Sequence, residues 1–154
     1  MRIQARYGIF CCFVLVLFMG TAFGISGELD NEFLAAARRG DIERVKELID
    51  KGAEVNARDS GGDTALLFAA QKGNRELAEL LIARGANVNA RNTDGDTPLS
   101  YAANYGHESL VKLFIVQRAD VNSKDNAGRT PLMWASKKEF TGIVNMLKEN
   151  GAKE

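Results

Sequence analysis

The segment Asp63-Thr64-Ala65-Leu66 returns as Asp96-Thr97-Pro98-Leu99 and again as Arg129-Thr130-Pro131-Leu132, each time after 33 residues. A fixed spacing without insertion means that one supersecondary unit is copied along the chain. Such a unit cannot bury its own apolar face and has to lean on a neighbour. A core made this way grows linearly with the number of copies, so the 154 residues are expected to form a row of units and not a closed globule.

Each unit carries its own start and stop signals. The polar stretch Asn89-Ala90-Arg91-Asn92-Thr93-Asp94-Gly95-Asp96 ends near a glycine suited to positive φ, as the tip of a hairpin requires. Thr97 is placed to cap a helix, with Pro98 at its first position, where a missing N–H is harmless. A short helix is predicted from Leu99 to Asn104, rich in alanine for close packing and broken by Gly106. A second helix begins near His107. Its Leu110, Val111, Leu113, Phe114 and Ile115 recur at the i, i+3, i+4 spacing of a buried face. A Val121-Asn122 pair then leads into the next tip.

In these motifs the chain resembles the ankyrin-repeat family. The family's T-P-L-H-x-A signature stands here as Thr97-Pro98-Leu99-Ser100-Tyr101-Ala102 and Thr130-Pro131-Leu132-Met133-Trp134-Ala135, with a weaker copy from Thr64 to Ala69. Its G-A-D-V-N-A segment stands as Gly52-Ala53-Glu54-Val55-Asn56-Ala57 and Gly85-Ala86-Asn87-Val88-Asn89-Ala90. The resemblance runs from Leu29 to Ala152. It implies an all-α solenoid of stacked helix-turn-helix units with projecting β-hairpin loops, in four repeats: 28–62, 63–95, 96–128 and 129–154, the last one short.

Several departures carry physical expectations. Leu67, Ser100 and Met133 replace the signature histidine, so its usual bond to the threonine region is expected to be missing. Arg118 replaces a helix-ending glycine, at about 1 kcal/mol if it turns left-handed. Gly142 falls within the last second helix, where glycine is worth about 1 kcal/mol less than alanine. Repeats three and four are therefore expected to be the softer end. Arg44 and Glu47 stand where interior repeats have leucines, and Lys148 where they have Ile82 and Ile115. Polar outer faces of this kind are what terminal repeats of a soluble solenoid need.

Residues 1–27 differ from all that follows. Arg2 and Arg6 precede an apolar run from Ile9 to Met19, and small residues follow at Gly20, Ala22, Gly24, Ser26 and Gly27. Ala22-Phe23-Gly24 fits a cleavage box that would start the mature chain near Ile25. A secretory signal peptide is the expected reading, and an uncleaved signal anchor the alternative. Either places domain 28–154 outside the cytoplasm, in a bacterial periplasm or secreted. Both cysteines, Cys11 and Cys12, lie in this leader, so the repeats themselves carry no thiol.

The repeats hold 18 basic and 20 acidic side chains, too balanced for a general nucleic-acid binder. No metal, nucleotide or glycosylation motif is present, and no cofactor or small-molecule substrate is expected. His107, the single histidine, stands where Asp41 and Asn74 open other second helices, so it is expected to cap locally. An enzyme would need a nucleophile or orienting acid placed with it. The resemblance instead implies a non-enzymatic, monomeric module. It would hold a partner protein on a concave surface of hairpin tips and first helices. Carried over by position, that surface comprises Arg58, Arg91 and Lys124 before the tips; Thr93, Asp94 and Asn126 at them; and Asp63, Asp96 and Arg129 after them. First-helix ends add Lys72, Asn104, Tyr105 and Lys138. Phe68, Tyr101 and Trp134 share one repeat position, either as a ladder lining the groove or as packing between helices, and Tyr105 is the expected exposed anchor. Membrane contact is expected only if the leader stays attached.

Overall fold

The structure, a computed structural model, describes residues 27–153; the leader reading lies outside the described residues but for Gly27. Among these residues it is all-helical, with α1 (27–39), α2 (Ile42–Asp50), α3 (Ala65–Lys72), α4 (Arg75–Ala83), α5 (Pro98–Tyr105), α6 (Glu108–Val116), α7 (Pro131–Lys137) and α8 (Thr141–Glu149). First helices stack on first helices, α3 on α5 and α5 on α7; second helices stack likewise, α4 on α6 and α6 on α8. One continuous apolar core runs through the row, from Phe33 to Leu147.

Local chemistry accounts for the helix boundaries. Thr64, Thr97 and Thr130 cap α3, α5 and α7, each hydroxyl accepting an N–H three residues on, with Pro98 and Pro131 just inside. The hairpins project as turns without strand ladders among the described residues. Each closes on its own backbone, as where Asn92 N donates to Asp96 O and Gly95 N to Asn92 O.

A left-handed residue ends every first and second helix. After first helices it is Gly40, Gly73, Gly106 and Glu139; after second helices, Gly52, Gly85, Arg118 and Gly151. Arg118, at φ 61°, adopts the conformation its position demands, and Glu139, at φ 60°, repeats the strain one helix on. Both lie in the last two repeats. Arg118→Gly and Glu139→Gly are each expected to raise the unfolding free energy by about 1 kcal/mol, read as a higher urea midpoint at unchanged slope. Gly142 is the second residue of α8, not an interior one. A Cβ there would meet only the carboxylate end of the exposed Glu108 side chain, at 3.2 Å from Oε1.

The ends of the row are polar. Arg44 pairs with Glu32 and, at 2.5 Å, with Glu47, which links α1 to α2 on the outer face of the first repeat. Lys148 is exposed at the other end.

Candidate partner-binding surface

The hairpin tips are built on a column of buried or half-buried Asx side chains: Asp59, Asn92 and Asp125. Asp125 Oδ1 accepts the N–H groups of Ala127 and Arg129, both at 2.9 Å; Asp59 does the same for Gly61 and Asp63, and Asn92 for Asp94 and Asp96. A side-chain oxygen that satisfies two turn donors holds the loop open without a sheet to support it. The tip is also stapled to the one before it. Thr93 N donates to Gly61 O at 3.0 Å and Asn126 N to Asp94 O at 2.9 Å. Gly95, at φ 82°, sits where an L side chain is strained, and a Cβ would lie 3.0 Å from the backbone N of Asn126 in the next tip.

This stapling employs part of the set carried over by position. Arg58 Nη1 donates to Arg91 O at 2.7 Å, and Arg91 Nη2 to Lys124 O at 2.6 Å. Thr93 Oγ1 donates to Gly61 O and Asn126 Nδ2 to Thr93 O, both at 2.8 Å. These side chains hold one repeat to the next. Asp63 is half-buried and accepts from Asn92 Nδ2 at 2.9 Å. Lys72, Asp94, Lys124 and Lys138 lie exposed.

The remaining six converge. Asp96, Tyr101, Asn104, Tyr105, Arg129 and Trp134 line one pocket of about 180 Å³ between α5, α7 and the tips, and Ser100 completes it. Tyr101 and Tyr105 stand nearly parallel at 6.1 Å and form one aromatic wall, with Tyr105 47% exposed. The Arg129 guanidinium lies 4.2 Å from the Trp134 ring centroid, and its Nε bonds Asp125 Oδ2 at 2.7 Å. Burial pushes the Asp96 carboxyl above its usual range, and neighbouring Asp125 and Asp94 add to this against the Ser100 hydroxyl and Arg129. Burial likewise pushes the Tyr101 phenol up to about 12, with Asp63 and Asp96 contributing. For Asp125, burial alone would raise the carboxyl. The bonds from Arg129 and Ala127 outweigh it and hold the group below the usual range. Two polar atoms near the pocket, Asn104 Oδ1 and Trp134 Nε1, are buried without a hydrogen-bond partner.

Family models described as "Ankyrin repeats (many copies)" and "Ankyrin repeats (3 copies)" match residues 33–82 and 84–154. The chain belongs to the ankyrin-repeat family. An ankyrin repeat protein of Rickettsia felis is 46% identical over 39 residues, 25% of this chain and 62% of the relative, so the chain spans less than two thirds of that relative's length. Ankyrin repeats are in general protein–protein interaction modules.

Within the ankyrin frame, two expectations need correction. Ser100 replaces the signature histidine yet restores a bond to the threonine region, its hydroxyl accepting from Thr97 N at 2.9 Å to complete a capping box. Leu67 and Met133 have no group that could do so. His107 makes no capping bond, whereas Asp41 and Asn74 cap α2 and α4. Its Nε2 instead lies 3.1 Å from Gln71 O, and its ring packs over Gly73, where a Cβ would meet it at 2.7 Å. The aromatic column divides. Phe68 is core, 5% exposed, while Tyr101 and Trp134 line the pocket. Sequence reasoning passed over the Asx column and Ser100. The signal was an Asp or Asn three residues before each tip glycine, Gly62, Gly95 and Gly128.

Proposed function

We propose that this chain is an exported protein-binding module that holds one partner protein against its tips and first helices, acting as a monomer and without catalysis. The observation that carries the reading is the pocketed face around Tyr105. A half-exposed aromatic beside a pocket that holds one acceptor and one donor without partners in the fold, Asn104 Oδ1 and Trp134 Nε1, is the make-up of an interface hot spot. Rigid tips stapled to each other reduce the ordering cost of association. Export is supported by the charged, apolar and small-residue segments of 1–27.

The test is partner capture by crosslinking from the extracytoplasmic fraction, repeated with the triple variant Lys72→Ala, Tyr105→Ala, Lys138→Ala. These side chains lie at the exposed ends of first helices, so affinity is expected to fall at least tenfold with helicity and melting unchanged. Arg91 is a poorer choice than its exposure suggests, because its loss also frees a tip carbonyl. Unchanged affinity overturns the surface. Mass spectrometry of the N-terminus tests export: a chain beginning near Ile25 supports a cleaved signal, and an intact Met1 in membranes supports the tethered scaffold.

A further inference from the structure

Three aromatic rings occupy one register, and two of them are covered by a guanidinium from the same chain. Arg38 lies 4.5 Å from the Phe68 centroid while bonding Asp59 at 2.7 Å. Arg129 lies 4.2 Å from the Trp134 centroid while bonding Asp125, also at 2.7 Å. Each is an aspartate–arginine–aromatic triad anchored on the Asx column. The middle ring, Tyr101, has none of this. Its Asx residue is the neutral Asn92, and Gln71 stands in the register of Arg38. The register of Arg129 holds the opposite charge, Asp96. Among the described residues no arginine or lysine lies over Tyr101, and Asp96 has no ion-pair partner.

The pocket opens at this ring. Its acceptors are the Asp96 carboxylate and the unpartnered Asn104 Oδ1, beside the Tyr101–Tyr105 wall. Its own cation, Arg129, is matched by Asp125 and laid on Trp134, so the pair adds no net charge. We propose that this pocket receives an arginine side chain of the partner, which completes at Tyr101 the contact made internally at Phe68 and Trp134. The inference rests on the protein-binding reading and names the chemistry of its partner. A planar, weakly hydrated guanidinium can bond two acceptors and lie against a ring together; an ammonium cannot match that geometry.

The probe is N-acetyl-arginine amide, titrated into the ¹⁵N-labelled full-length chain. Trp134 is the single tryptophan, so its indole N–H gives one assigned reporter. The expected result is a saturable shift that weakens with added salt. The lysine derivative should bind at least fivefold more weakly, and the citrulline derivative, a neutral isostere, should not saturate. Asp96→Asn should weaken arginine binding at least tenfold with the rest of the spectrum in place, while Glu76→Gln, which removes an exposed charge on α4, should change nothing. Equal binding of citrulline or lysine overturns the proposal, as does an Asp96→Asn variant that binds normally. If the triple variant loses its partner but arginine amide fails to saturate the pocket, only the arginine assignment falls. If arginine amide saturates but capture ignores the triple variant, the pocket takes a guanidinium without serving the partner, and the surface and the partner's arginine fall together.

Discussion

Replacing Phe114 by alanine is expected to lower the unfolding free energy by about 3–5 kcal/mol. The side chain is 0% exposed on α6, which packs against α4 on one side and α8 on the other. Truncation removes apolar burial and leaves a cavity that α4 and α8, each packed on its own first helix, close only in part. The loss should not spread evenly. Solenoid repeats are stabilised by their own fold and by nearest neighbours, so a defect in the third repeat also unmoors the fourth. Hydrogen exchange is the decisive measurement. Protection should collapse from residue 96 onward while residues 28–95 keep most of theirs, and urea unfolding should broaden or split. Uniform loss of protection would mean the row unfolds as one unit. Leu80→Ala is expected to cost less than Phe114→Ala, because Leu80 is only partly buried and Leu77 and Leu81 carry the α4 core.

Asp125→Ala is the second large effect, about 1.5–3 kcal/mol, because it strands two turn N–H groups and frees the Arg129 guanidinium. Asp125→Asn should cost less, since an amide oxygen can serve both donors as Asn92 already does. The two also differ in pH response. Bonds to the carboxylate depress the folded-state pKa of Asp125, so its contribution is present above the unfolded value of about 3.9. It is lost as pH falls through the lower folded value. The gap in stability between the native chain and Asp125→Asn should therefore shrink below about pH 4. Asp96 runs the other way: its carboxyl is raised on folding, so the stability it contributes is present at low pH and lost as pH rises through that value. A gap that persists in acid would show that Asp125 acts by shape and not by charge.

Much of the fold was legible because it depends on short-range backbone chemistry. The threonine caps, the prolines behind them and the left-handed glycines act within a few residues of themselves, and the structure has each where the 33-residue register put it. Arg118 was legible for the same reason. Its neighbours in register are glycine, and φ follows position. His107 was misread by that logic, since a place in the register says where a residue stands and not which way its ring turns. A packing contact over Gly73 won against a cap. The missing histidine did not foretell the bond at Ser100, because that bond depends on its hydroxyl turning back along the helix to Thr97 N.

The candidate surface divides along the same line. The period alone picks out which residues share a column, so Arg58, Arg91 and Lys124 were correctly grouped. It could not tell that two of these arginines reach forward to a backbone carbonyl of the following repeat. That depends on the rise and rotation between units, which bring Arg58 within 2.7 Å of a residue 33 positions away. The order of elements, their caps and the stacking itself are written in the spacing of threonine, proline, glycine and leucine, whose preferences are local. The pocket at Tyr101 is not, because its walls come from two helices and two tips. Only the packing of one repeat on the next decides that Asp96, Asn104 and Trp134 meet.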